Sequence, residues 1–171
     1  MAEAVIRRTK SFQVPEYFNF ADVIDEWAQK EKEGKRQSNH PALWWIDGAG
    51  SEVKWSYQDV VLNSKKTANL LCTAVSIKPG DRVMVILPTI PEYWLMQAAC
   101  LRTGGVFVIV ANNIGPKELH RRILGSKPVC VVVAPCDQVN SKLLDVVDQV
   151  RDAIILSYHR REPQINPKLL R

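Results

Sequence analysis

The chain has 171 residues, enough for one domain of ordinary size that buries about 70% of the surface its unfolded form exposes. Hydrophobic residues make up 46% and charged residues 24%, a globular composition rather than a disordered or fibrous one. The formal charge is +5, but acidic residues are mixed into most of the chain. The basic clusters at 7–10, 30–36 and 160–161 form no dense stripe, which argues against nucleic acid as a partner.

The apolar runs at 106–111 and 129–134 fall far short of the roughly 20 residues that span a bilayer, so no membrane span is expected. The opening MAEAVIRRTKSF has the basic and hydroxyl residues of a mitochondrial presequence. It also carries Glu3 and is short, which makes it a weak targeting signal. The four cysteines, Cys72, Cys100, Cys130 and Cys136, form no C-x-x-C pair. The first three sit in apolar stretches and read as buried free thiols, with no disulfide framework or zinc site.

Residues 1–18 lack periodicity and read as an extended arm, anchored by Tyr17 and Phe18 after Pro15. Residues 19–77 form a second region. Asn19 can cap a helix that begins near Phe20, places Val23, Ile24 and Trp27 on one face, and ends at Gly34. A polar linker at 35–40 breaks at Pro41. Strands at 43–46 and 52–55 flank the turn Asp47-Gly48-Ala49-Gly50-Ser51, a hairpin signal. Adjacent strand residues face opposite ways, so one of Trp44 and Trp45 should pack inward. Ser56 with Asp59 resembles a capping box, and the following helix turns Val60, Val61, Ala68, Leu71 and Cys72 toward a core.

Region 78–158 changes character. Short β-branched runs at 81–87, 106–110, 129–133 and 153–157 alternate with helices at 91–102, 116–124 and 141–150. Strands apolar on both faces between helices of this length define βαβ units and a parallel sheet covered on both sides. The fold class is therefore α/β: a parallel sheet with flanking helices, preceded by a helix and a β-hairpin. Residues 159–171 form a polar tail. Strand 153–157 should be left as an apolar edge, which would make the chain poorly soluble or prone to bind hydrophobic dyes.

No catalytic constellation is visible. Neither G-x-G-x-x-G nor G-x-x-x-x-G-K-[ST] occurs. Gly104-Gly105 precedes a strand instead of following one, so it reads as a tight helix-to-strand turn rather than a phosphate cradle. His40, His120 and His159 neighbour no nucleophile, and His120 falls on the wet face of its helix. Asp145 and Asp148 read as a solvated helix face, and Trp94 as core rather than a ligand platform. No metal-ligand spacing appears.

The run KPGDRVMVILPTIPEYWLMQAACLRTGGVFV is similar to the early core of acyl-adenylate-forming enzymes. The motifs that carry this resemblance are Lys78-Pro79-Gly80-Asp81-Arg82-Val83, Leu87-Pro88 with Pro91-Glu92, and Gly104-Gly105-Val106. With PEYFNFADVIDEWAQKEKEGK, NHPALWWI and WSY upstream, residues 14–158 resemble the N-terminal portion of the mitochondrial medium-chain acyl-CoA synthetases. The resemblance implies a ligase of the mitochondrial matrix. It joins a medium-chain fatty acid to ATP with Mg, releasing pyrophosphate, and then passes the acyl group to CoA. It also implies an incomplete synthetase N-terminal domain. The family's Ser/Thr/Gly-rich phosphate loop, its aromatic-plus-acid motif and its C-terminal lysine are not in this sequence, so the 171 residues alone are expected to be inert. One family position is carried over: Asn113 stands where an amide side chain, Gln in the family, approaches CoA. Asn112-Asn113 can equally be a polar turn, and Ile109 replaces a family proline nearby. Two other readings stay open: a non-catalytic α/β module that binds a nucleotide or partner, and a regulatory decoy that pairs with full-length synthetase.

Overall fold

A computed structural model describes residues 16–36 and 40–134 and, as backbone, 154–157. The first helix, α1 (Phe20–Lys32), starts where the Asn19 side chain accepts the Ala21 N–H at 2.9 Å. The same side chain donates to the Leu101 carbonyl at 2.8 Å, so the cap also ties the helix start to a distant element. Strands β1 (Leu43–Ile46) and β2 (Glu52–Trp55) pair antiparallel, Trp45 opposite Val53. The Asp47 carboxylate closes their turn by accepting the N–H groups of Ala49 and Ser51 at 2.8 and 2.7 Å.

Helix α2 (Tyr57–Ala74) opens on a full capping box between Ser56 and Asp59. Glu31 of α1 adds to it, accepting the Tyr57 and Gln58 N–H groups at 3.3 and 3.1 Å. A carboxylate there satisfies orphan donors and meets the positive end of the helix dipole. The buried stripe of α2 runs Ser64, Ala68, Leu71 at helical spacing.

The parallel layer follows. Strand β3 (Arg82–Ile86) leads through α3 (Pro91–Thr103) to β4 (Val106–Ile109), then through α4 (Pro116–Ser126) to β5 (Cys130–Val133). With β6 (Ile154–Ser157) the order is β4-β3-β5-β6, every pair parallel. Alternation splits the core in two. Val83, Val85, Cys130 and Val132 face Met96, Ala99 and Cys100 of α3 and Leu71 of α2. Met84, Ile86, Val131 and Val133 face Leu119 and Ile123 of α4. Residues 83–86 and 130–133 are all buried, as a strand covered on both faces requires.

Gly104 turns α3 into β4 at φ 71, and a Cβ there would stand 3.1 Å from the Pro79 Cβ. The Gly80 N–H donates to the Gly104 carbonyl at 2.8 Å. The two glycine turns of the recognised run thus pack on each other.

Three expectations need correction. Cys72 is exposed, because it lies one position past Leu71 and rotates off the buried stripe. Tyr17 and Phe18 are 90% and 49% exposed, so Tyr17 is no buried anchor among the described residues. Trp94 is 37% exposed, at a cleft rather than in the core. The expected helix at 141–150, the arm at 1–15 and the tail at 159–171 lie outside the described residues. At the sheet's ends, β6 pairs only with β5 among the described residues, and β4 exposes Val106 and Ile109.

Candidate functional site at the carboxyl edge of the sheet

The chain leaves β3 for β4 on one side, then crosses back to β5 on the other, with α3 and α4 on opposite faces. This is a doubly wound order. Its crevice opens where the connections diverge, between the carboxyl ends of β3 and β5. One wall is the turn Leu87-Pro88-Thr89-Ile90. The Ile90 N–H donates to the Pro88 carbonyl at 2.8 Å, and Pro91 starts α3 at a first-turn position. Trp45 of the hairpin reaches this turn, its Nε1–H donating to the Thr89 carbonyl at 2.6 Å. The sequence left open which of Trp44 and Trp45 packs inward; the tie spans 44 residues, which local periodicity cannot reveal.

Asn113 sits on the same edge, exposed in the β4–α4 connection. The Ile114 N–H donates to the Ala111 carbonyl at 3.2 Å, so Asn112 and Asn113 are the central residues of a turn. His120 is half-buried on α4, and His40 is exposed before the hairpin. The structure brings neither to Asn113's connection or to a nucleophile among the described residues. His159 lies outside them.

A second feature is an apolar cleft of about 210 Å³ between α1, the hairpin, α2 and α3. Phe20, Trp55, Tyr57 and Trp94 are its aromatic lining, and Gln97 is its only amide. Sequence reading missed it because its walls come from four separate elements.

Burial pushes the Cys100 and Cys130 thiols up to about 12, with Cys100 adding a smaller upward push on Cys130, which keeps both protonated and inert. Arg102 donates two bonds to Asp25, at 2.6 and 3.1 Å, and one to Ser64 Oγ at 2.9 Å. The Arg102 hydrogen bond is the main reason the Asp25 carboxyl is held below its ordinary 3.8, with Lys65 assisting. This joins α1, α2 and α3 and is a structural clamp. On the exposed face of α4, hydrogen bonds from Arg121 and Arg122 hold Glu118 down at about 2.

No glycine-rich phosphate loop is built among the described residues. No cluster of three His, Cys, Asp or Glu side chains that could hold a metal occurs among them. Gly104 and Gly105 precede a strand, and Gly115 enters α4 without a glycine-rich run. No helix among the described residues is long and apolar enough to cross a membrane.

The same architecture recurs in solved acyl-CoA synthetases. One from Brucella canis superposes with a TM-score of 0.68 at 22% identity, covering 91% of this chain and 27% of that one. The acetoacetyl-CoA synthetase of Streptomyces lividans gives 0.69 at 20% identity, over 82% and 22%. The described fold is thus one that these two solved chains share over part of their length. A family model described as AMP-binding enzyme matches residues 30–168, and the chain belongs to that family. Among curated relatives, mouse mitochondrial acyl-coenzyme A synthetase ACSM3 is 46% identical over 155 residues, covering 88% of this chain and 26% of the relative. Rat mitochondrial acyl-coenzyme A synthetase ACSM4 is 45% identical over 155 residues, covering 83% and 26%. The chain matches the N-terminal portion of these relatives and spans about a quarter of their length.

Proposed function

We propose that these residues are the N-terminal part of an ATP-dependent ligase that activates medium-chain fatty acids as acyl-adenylates and transfers them to CoA in the mitochondrial matrix. The observation that carries the reading is the 46% identity to mouse ACSM3 across 88% of the chain. In that enzyme this part supplies the doubly wound sheet and its carboxyl edge. Asn113, on the exposed β4–α4 turn, is the residue we assign to CoA contact. ATP, CoA and Mg belong to the whole ligase. The 171 residues alone are inert, since no group among the described ones grips phosphate.

A chimera tests this: residues 16–134 replace the matching region of the mouse relative. We expect acyl-CoA formation from medium-chain acids. Asn113→Ala should raise the KM for CoA about threefold to tenfold, the loss of one hydrogen bond, with the KM for ATP unchanged. A folded chimera without ligase activity would contradict the proposal. Equal KM values for CoA with and without the Asn113 amide would remove that residue's role alone.

A further inference from the structure

The hairpin is a two-stranded sheet of its own, with no ladder to the parallel sheet among the described residues. A two-stranded ribbon is marginal by itself in water. The Trp45 indole that it sends to the Thr89 carbonyl is therefore more than incidental packing. Thr89 lies between Pro88 and Pro91, in the turn that walls the crevice and starts α3. Buried Leu87 and Pro91 flank that start, but its N-cap, Ile90, has no side-chain cap bond. The Tyr93 N–H is satisfied by the Ile90 carbonyl at 3.0 Å, so the first turn of α3 rests on the position of Ile90. Neighbouring Trp44 points away, 56% exposed beneath Lys54, whose Nζ stands 4.3 Å from the ring centroid.

We propose that the β1–β2 hairpin is a strap that fixes the Pro88–Ile90 turn at the mouth of the crevice, with Trp45 as the positioning residue acting through its indole N–H. Ile90 offers no side-chain cap, so the strap adds the directional tie that the buried Leu87 and Pro91 do not supply. The inference does not depend on the ligase reading, because it concerns the geometry of the crevice whatever enters it.

Amide hydrogen exchange on the 171-residue chain tests it. Trp45→Phe keeps an aromatic ring but removes the donor. The Ile90 and Tyr93 amides should then exchange up to about tenfold faster, as loss of one hydrogen bond permits, while the β3 amides stay protected. Trp44→Phe, on the opposite face of the same strand, should leave all of these unchanged. Unaltered exchange at Ile90 and Tyr93 in Trp45→Phe would overturn the proposal. So would faster exchange spread through β3, which marks general destabilisation. Should Trp45→Phe not fold, the wild-type chain decides: the Trp45 indole N–H must exchange more slowly than that of Trp44, and equal rates would refute the strap.

Discussion

The parallel layer and the N-terminal layer of this molecule are held together by different physics. In β3 and β5 every side chain from 83 to 86 and from 130 to 133 is buried, and hydrophobic contact on both faces does the work. In α1 and the hairpin, only Ala21 and Ala28 are buried, and large aromatics stand partly in water. That layer is attached by a few directional contacts: Asn19 to Leu101, Glu31 to the start of α2, Arg102 to Asp25, and Trp45 to Thr89. The sheet layer is therefore robust to loss of any one polar group. The outer layer is sensitive to each.

The contrast sharpens under mutation, and the largest effect belongs to the sheet. Met84 is fully buried between β3's neighbours and α4. Met84→Ala should cost about 2–5 kcal/mol, read as a lower urea midpoint, through lost burial and the cavity left behind. Trp44→Ala on the hairpin, although it removes a larger side chain, should cost well under about 1 kcal/mol, since that ring is mostly exposed. Equal losses would erase the distinction between the layers.

A smaller effect is expected at the clamp. The Arg102 side chain is 11% exposed, so Asp25→Asn leaves a largely buried cation short of its counter-charge. Cutting a fully buried pair costs about 3–5 kcal/mol; with Asp25 about a third exposed, solvent should reduce this to about 1–2 kcal/mol. The pH dependence has a defined sign. Asp25 titrates lower when folded than when unfolded, so its contribution is complete above its ordinary 3.8 and fades as pH falls through the lower folded value. Urea midpoints should therefore fall in acid for the wild type and less steeply for Asp25→Asn. Parallel acid slopes would show that the pair does not stabilise the fold.

Local signals made most of the described fold legible. Asn19, Ser56 with Asp59, Pro91 and Gly104 mark element ends by short-range chemistry, and each sits at or beside the boundary it implied. The run from Lys78 to Val106 also carried the family. What was hidden depends on which distant residues meet. Arg102 and Asp25 lie 77 positions apart, and the cleft at Phe20 and Trp94 draws on four elements. Cys72 was placed inward because it stands four residues after Ala68, yet the stripe through Ser64, Ala68 and Leu71 faces α3 and leaves it outside. Of the candidate site, the sequence pointed to Asn113 and its turn, but not to the hairpin that reaches the other wall.

The proposal's central claim is that these residues serve as scaffold and do not by themselves activate ATP. The most direct test is release of pyrophosphate by the purified 171-residue chain, supplied with ATP, magnesium, CoA and acids such as hexanoate or octanoate. The account predicts release no faster than in protein-free buffer. Acid-dependent release that co-purifies with the chain and persists after removal of every contaminating ligase would contradict it.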